Sequence, residues 1–555
     1  MRRKLSGLAL FVLIFGALTA SGGWAAAAPA DVQPDEQQYL NTFLMSEPKT
    51  LNSSLASDTY SGYILENIMD GLTRLEEKED GYFLAPAGAA KWSSNPEGTV
   101  WTFELNENKW SDGKPVTAQD YVYAVKRIAD PKTGAPLAYM LEPLLNFKDC
   151  NEGKKPIDEL GIRAVDDKTV EVVLTNPTPY FLDLTHSRVF NPLRQDIVEK
   201  WGEKYGSEAE TVVCNGPFKV DSWVHNNKIV LSRNEHYWDR DSVKLQTLTY
   251  AIMEDESTFL NAFDSGEVDY VQAVGKTEWI DRFEKRGDSV HTVVPTATLA
   301  YTFFNTHDKI FSNMNMRKAF MLGIDREELN EMCFSGLRIP TYGWVVPSIY
   351  VGSSNFREVA GDVVKKIAAD SPSPKELLLK GMEELGLGDD PSKLKLTFSL
   401  AGTSDWYRTL GEYLQQVYKE SLGVNLEISF SEWGIFSDSI EKGNFQMGFM
   451  AWGAFFNDPY DVLALFVSSS NAIKTGWANA EFDDVMARAG RETDEQKRLQ
   501  LYVQAEKILL VDNAVVSPLA TSTFHQFKRA FLQGVPKMTF SSVGFKYAYT
   551  TGRPK

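Results

Sequence analysis

No proline- or serine-rich linker, short-period repeat or low-complexity tract divides this 555-residue chain. One hydrophobic core seldom holds so many residues, so two or three domains are expected. Without linkers those domains must be built from interleaved segments, with the chain crossing between lobes several times. The local patterns are mixed from end to end. Residues 99–105 alternate apolar and polar as a half-buried strand does, and Ser111-Asp112-Gly113 reads as a turn. Thr117 and Asp120 then have the spacing of a helix-capping box leading into Tyr121-Val122-Tyr123-Ala124-Val125. Residues 168–174 form another strand pattern, closed by Asn176-Pro177. Farther along, a strand at 393–398, a helix at 406–421 and a strand at 424–430 predict a βαβ unit with parallel strands. A last long helix is predicted at 493–510. The fold class is α/β, in at least two lobes.

The first thirty residues read as an export leader. Arg2, Arg3 and Lys4 precede an apolar stretch from Leu8 to Leu18, and Ala25 to Ala30 offer small-residue cleavage positions. About a dozen apolar residues cannot cross a hydrocarbon layer of roughly 30 Å as a helix, so residues 1–30 are expected to be a cleaved signal peptide. No cysteine follows the apolar stretch until Cys150, so no lipid anchor is expected. An exported protein without an anchor stays near its cell only behind an outer barrier, which points to the periplasm, with no stable membrane insertion after cleavage. Cys150, Cys214 and Cys333 allow at most one internal disulfide, and spacing does not choose the pair.

Removing the leader's three positive charges takes the net charge from −18 to about −21. That balance argues against nucleic acid, whose phosphates draw on clustered Lys and Arg. Signals for catalysis fail in turn. None of the six histidines lies at metal-ligand spacing from another, and no G-x-S-x-G elbow occurs. Gly275-Lys276-Thr277 resembles the end of a phosphate-binding loop, yet Tyr270 stands where its first glycine is required. Neither metal nor cofactor is expected, and the chain reads as no enzyme. An exported glycoside hydrolase is the catalytic alternative, because paired carboxylates across a sugar cannot be placed from linear sequence. The charge run at 76–80 is expected to be a solvated loop.

One stretch is more specific. Lys91-Trp92-Ser93, followed by TVWTFELNENKWSDGKPVTAQD at 99–120, resembles the oligopeptide/dipeptide-binding family of ABC-importer receptors, solute-binding family 5. Similar segments follow in order: SEPKTLN at 46–52, IMDGL at 68–72, CNGPF at 214–218, NEHYW at 234–238, SGEVD at 265–269, MRKAF at 316–320 and GIDR at 323–326. The resemblance covers about residues 40–530. It implies a type II periplasmic binding protein fold, with two α/β lobes on a hinge and an extra inserted domain. Lobe I would comprise 31–59, 184–297 and 522–555, the inserted domain 60–183, and lobe III 298–521. It also implies a monomeric receptor that seals a peptide or related small molecule between its lobes and hands it to a membrane permease and ATPase. A sensor that reports a ligand, or a receptor for a non-peptide ligand, would share that architecture.

In such receptors the peptide lies extended and bonds to protein backbone as an added strand. The resemblance places those backbone groups at Ser57, Asp58, Thr59 and Tyr60 and at Ala451, Trp452 and Gly453. The chain departs from the family's pattern at three ionic positions. The aspartate expected to meet a peptide's α-ammonium falls at Phe455, an upstream basic residue at Phe449, and an acidic residue after the hinge at Phe303. A sealed α-ammonium without a counter-charge costs several kcal/mol. Either Asp458 or Asp58 compensates, or the ligand is hydrophobic or N-blocked, in a more apolar cleft walled also by Trp433 and Trp452. Tyr407 and Asn457 complete the expected ligand-contacting set.

Overall fold

The structure is a computed structural model; it describes residues 33–554 except 79–80, 273, 403, 471–472, 538–539 and 541–543. The expected leader, residues 1–30, lies outside the described residues. Among those described, no helix is long and apolar enough to cross a membrane.

The chain opens with β1 (Tyr39–Leu44) and α1 (Thr59–Ile68), then enters a four-stranded antiparallel sheet. That sheet holds β2 (Ala89–Ser94), β3 (Val100–Leu105), β4 (Ile162–Asp166) and β5 (Thr169–Val173) in the order β2-β3-β5-β4, with α2 (Ala118–Ala129) packed on it. The chain then returns to β1. Strands β6 (Phe218–Val224), β7 (Lys228–Arg233) and β8 (Thr247–Ile252) give a second sheet in the order β1-β8-β7-β6, with β1 parallel to β8. Leaving and re-entering one sheet is how the chain interleaves its units without a linker.

The third sheet is the largest. It takes β9 (Ser289–Phe304), β10 (Leu396–Leu400), β11 (Leu426–Phe430), β12 (Met447–Gly453) and β13 (Val516–Arg529) in the order β13-β9-β12-β10-β11, and the two-residue strands Tyr270–Val271 and Ile339–Pro340 also pair with β13. The helix α3 (Asp405–Leu422) joins parallel β10 and β11, as the alternating strand–helix–strand pattern predicts. Helix α4 (Trp433–Glu441) leads into β12, α5 (Pro459–Leu463) follows it, and α6 (Glu495–Lys507) precedes β13. Apolar side chains cover both faces: Tyr301, Trp344 and Phe466 on one, Phe304, Phe320 and Tyr418 on the other. Strands β9 and β13 are long enough to reach a further core of Phe43, Phe259, Phe263 and Phe283, where Phe527 of β13 packs. Their register shifts twice, between Pro295 and Leu299, opposite Thr523 and Thr521, and again between Ala300 and Tyr301, opposite Ala520 and Pro518.

The most distinctive sequence segments fold as joints. Thr117 caps α2 reciprocally with Asp120, whose carboxylate also accepts the indole N–H of fully buried Trp110. Gly113 closes the intervening turn at φ +86°, a backbone state that a side chain resists. Asp70 and Arg74 form a buried ion pair, and Tyr237 and Trp238 donate to the second Asp70 oxygen at 2.8 and 3.3 Å. Asn215 and Asn234 tie the same joint through backbone groups of Asp70 and Gly216. These motifs hold the first sheets together.

One local expectation needs correction. The charge run at 76–80 is not simply a solvated loop: Thr73–Lys78 pairs with Gly81–Pro86 in a hairpin, because Leu75 is buried opposite Leu84 and Tyr547 donates to Glu76 at 2.6 Å. Cys150, Cys214 and Cys333 are all buried free thiols, and burial pushes Cys214 and Cys333 up to about 12.

Candidate ligand cleft at an open strand edge

Strand β12 is paired along its whole length with β9, from Phe304 opposite Met447 to Thr298 opposite Gly453. On its other side it meets β10 only at Met447 and Gly448. From Phe449 to Gly453, therefore, every second backbone N–H and C=O points to an edge that no strand covers. Where β10 and β12 diverge, a cavity of about 320 Å³ opens, lined by Arg338, Ala401, Trp406, Tyr407, Trp433, Phe449, Met450 and Ala451. It lies beyond the carboxyl ends of two parallel strands, the place where open α/β sheets take ligands.

The aromatic walls are held firmly. The Trp406 indole donates to the carbonyl of Cys333 at 2.8 Å, and its ring lies 5.8 Å from Phe449 and 4.7 Å from Tyr407. Trp433 opens α4, stacks on Phe436 at 5.8 Å and stays 59% exposed. Ile435 and Phe430 are exposed on the neighbouring elements, so this side of the cavity presents apolar surface to solvent. Ala451 is exposed and Trp452 half-buried, as a backbone platform requires.

At the far end of β12 a loop carries Phe455 and Phe456 against the inserted antiparallel unit. Phe455 is 41% exposed, and its ring meets Tyr139 edge-on at 6.4 Å. Tyr180 stacks on both Phe456 and Tyr460, at 5.2 and 4.6 Å. Three carboxylates gather there. Asp458 is buried, caps α5 through the Tyr460 N–H and lies 3.5 Å from Arg498. Asp183 is pushed up to about 7 by burial and by the charge of Asp458. Asp461, half-buried, accepts the Phe455 backbone N–H at 2.5 Å. Burial, eased by those backbone donors and reinforced by Asp458, pushes it up to about 7 as well. Among the described residues no basic side chain is paired with Asp461.

The sequence-based site divides accordingly. Tyr407, Trp433, Phe449 and Ala451 share the cavity, and Trp452, Gly453 and Phe455 continue its edge. Phe303 does not belong to it: the ring is fully buried between Phe445 at 5.2 Å and Phe436, so core packing claims it. Asp458 is not a spare acid, since its cap and Arg498 occupy it. Asp58 is occupied too, capping α1 through the Ser61 N–H at 2.8 Å and its hydroxyl at 2.6 Å, while Arg188 binds its carbonyl. Asn457 accepts the Tyr350 N–H, which fixes the loop. Ser57 and Thr59 are exposed and Tyr60 is half-buried at the head of α1. No hydrogen bond among the described residues joins that segment to Ala451–Gly453 side groups. Arg338, Trp406, Asp183 and Asp461 were not anticipated. The one available signal was Asp458-x-x-Asp461, which has capping-box spacing and so turns Asp461 back toward the preceding backbone.

The chain is similar to known proteins over most of its length. The pattern for "Bacterial extracellular solute-binding proteins, family 5 Middle" matches residues 84–474. The oligopeptide-binding protein OppA of Bacillus subtilis is 33% identical over 99% of this chain and 100% of its own length. The periplasmic oligopeptide-binding protein OppA of Salmonella typhimurium is 32% identical over 90% of each. The crystal structure of Haemophilus influenzae OppA in complex with the peptide RPPGFSPFR superposes with a TM-score of 0.77 at 26% identity, covering 94% of this chain and 100% of that one. With sequence and fold matched over nearly the whole chain, this protein belongs to the bacterial extracellular solute-binding proteins of family 5.

Proposed function

We propose that the protein is a periplasmic receptor that captures short free-amine peptides with apolar or aromatic side chains and delivers them to an ABC permease and ATPase. The open edge of β12 from Phe449 to Gly453 carries the reading. Backbone groups left unpaired beside an aromatic cavity suit an extended chain added as a strand, and main-chain bonding accepts many side-chain sequences. Asp461 supplies the acid that Phe455 lacks: it sits against the Phe455 N–H without a cation of its own, so a peptide's α-ammonium would pair with it. That favours free-amine over N-blocked ligands, while exposed Phe455 and Trp433 favour apolar ones. The receptor works as an unanchored monomer without catalysis. Its two halves, the boundary falling at residues 297/298 and 521/522, close by flexing where β9 and β13 lose register.

Mass spectrometry of what the purified mature protein releases on denaturation tests this. A ladder of short free-amine peptides, recovered uncleaved, is expected. A single non-peptide or N-blocked species would refute the peptide reading, and recovery of cleaved products would refute the non-catalytic one.

A further inference from the structure

Arg338 is a cation without a partner in the ligand cavity. It follows Gly336, whose φ of +70° turns the chain out of the preceding helix Arg326–Phe334. Buried Asn330 then grips both backbone groups of Arg338, donating to its carbonyl at 2.8 Å and accepting its N–H at 3.1 Å. The guanidinium carbon lies 4.0 Å from the Phe334 ring centroid, so the side chain rests on an aromatic face. Among the described residues no carboxylate, carbonyl or hydroxyl bonds to the guanidinium. The rest of the cavity lining is Ala401, Trp406, Tyr407, Trp433, Phe449, Met450 and Ala451, with no acid among them. Burial alone pulls Arg338 down to about 10, leaving it charged at neutral pH. A half-buried charge with five donors and no acceptor is an expensive thing to keep. A fixed, planar donor fork in an otherwise apolar cavity matches a carboxylate, which it can bind through two parallel N–H···O bonds.

We infer that Arg338 forms a carboxylate-binding subsite in the β10–β12 cavity, so that this receptor prefers peptides placing an acid there. The acid is either the peptide's C-terminal carboxylate or an Asp or Glu side chain. This rests on the peptide reading above, and it narrows the substrate class: an extended peptide on β12 would carry its amine toward Asp461 and its acid toward Arg338. From Ala451 to Phe455 is four residues, at most about 14 Å when extended, so the two charges would be served by a peptide of only a few residues.

Calorimetric titration of four matched pools of tri- to pentapeptides separates the possibilities. The pools carry either Glu or Gln at one internal position, each made as C-terminal acid and as C-terminal amide. Wild-type protein is expected to lose about 10- to 100-fold in affinity when the carboxylate that Arg338 holds is neutralised. Loss on amidation identifies the C-terminus; loss on Glu-to-Gln exchange identifies the side chain. In Arg338→Met that difference is expected to vanish, while the Gln-amide pool binds as it does to wild type, which shows the cavity intact. Arg338→Lys, keeping the charge but not the fork, is expected to fall between. Wild type binding all four pools equally, or Arg338→Met keeping the full wild-type preference, would overturn the subsite and leave the peptide reading standing. If no pool binds at all, both readings fall together.

Discussion

The two ends of the open β12 edge carry opposite charge imbalances. At the cavity end one guanidinium, Arg338, faces aromatic rings with no acid near it. At the loop end three carboxylates, Asp183, Asp458 and Asp461, gather, and among the described residues Arg498 is paired with Asp458 and none is paired with Asp461. Burial presses both ends toward neutrality, but with different consequences. Arg338, lowered to about 10, remains a cation throughout the physiological range. Asp183 and Asp461, raised to about 7, titrate within it. One end is a constant attractor for anions, and the other is an attractor for cations whose strength depends on pH. A zwitterionic peptide lying along β12 would satisfy both. The difference also separates two kinds of selectivity, one fixed by geometry and one set by the medium.

The largest way to break this comparison is to remove the acid end's free charge. Asp461→Asn keeps the acceptor for the Phe455 N–H and deletes the carboxylate. Affinity for free-amine peptides is expected to fall about 100-fold, the scale of a desolvated charge pair losing one member. N-acetylated analogues should bind the variant and the wild type alike. An equal loss for both peptide types, measured by calorimetry, would show that Asp461 only braces the loop.

Next comes pH, where the sign can be worked out. An ammonium needs Asp461 ionised, and its folded pKa of about 7 lies above the unfolded value of 3.8. Affinity for free-amine peptides should therefore rise from pH 5.5 toward pH 8 by about tenfold, as the carboxylate loses its proton, with proton release on binding below pH 7. Acetylated peptides should show no such rise. The ligand-free protein moves the other way. A raised carboxylate binds more protons folded than unfolded, so stability is greatest at the acid side of the window and declines from about pH 4 to about 7. Asp183→Asn should flatten that decline in thermal unfolding. A decline unchanged in both Asp183→Asn and Asp461→Asn would place its source elsewhere.

How much of this was legible beforehand follows the range of the interactions. Local signals were sufficient for the strand–turn–helix around Trp110, because capping, turn and alternation act within a few residues. The parallel pair β10 and β11 followed from the order of elements. The family resemblance singled out Ala451–Gly453, but not the open edge there, which depends on where β10 stops pairing. Phe303 illustrates the failure in the other direction. Position in an alignment marks a place along a strand, whereas facing cleft or core depends on what the partner elements cover. Asp58 and Asp458 are helix caps, and the S/D-rich helix starts that make caps readable also consume the acids placed there. Arg338 was silent because an unpaired charge is recognised only by surveying everything around it.

A smaller effect comes from the junction that brings the acid end together. Phe456 sits between Tyr180 and the third sheet, and its stacking contact exists only while the inserted unit and the third sheet are in contact. Phe456→Leu keeps apolar bulk and loses the stack, worth about 1 kcal/mol. Peptide affinity should fall about fivefold, for amine-bearing and acetylated peptides equally, because closure rather than charge is weakened. A loss confined to free-amine peptides would instead mean that Phe456 positions Asp461.

The smallest expected effect is the sharpest on Phe455. If this position had simply lost its acid, Phe455→Asp would restore a missing counter-charge and raise affinity for free-amine peptides strongly. With Asp461 already bonded to the Phe455 N–H, the new carboxylate would enter beside an existing one. Two like charges at that separation cannot both ionise cheaply, so one is driven to higher pKa and only one negative charge faces the ligand at neutral pH. The variant also gives up the edge contact with Tyr139. Affinity for free-amine peptides should then change by less than about threefold, within the range of a single exposed ion pair. The pH midpoint of binding should move downward, because the more exposed new carboxylate ionises before Asp461 does, a shift that a merely structural role for Phe455 would not produce. A gain of tenfold or more would show that Asp461 leaves the ammonium unserved and that the wild-type cleft is built for ligands without one.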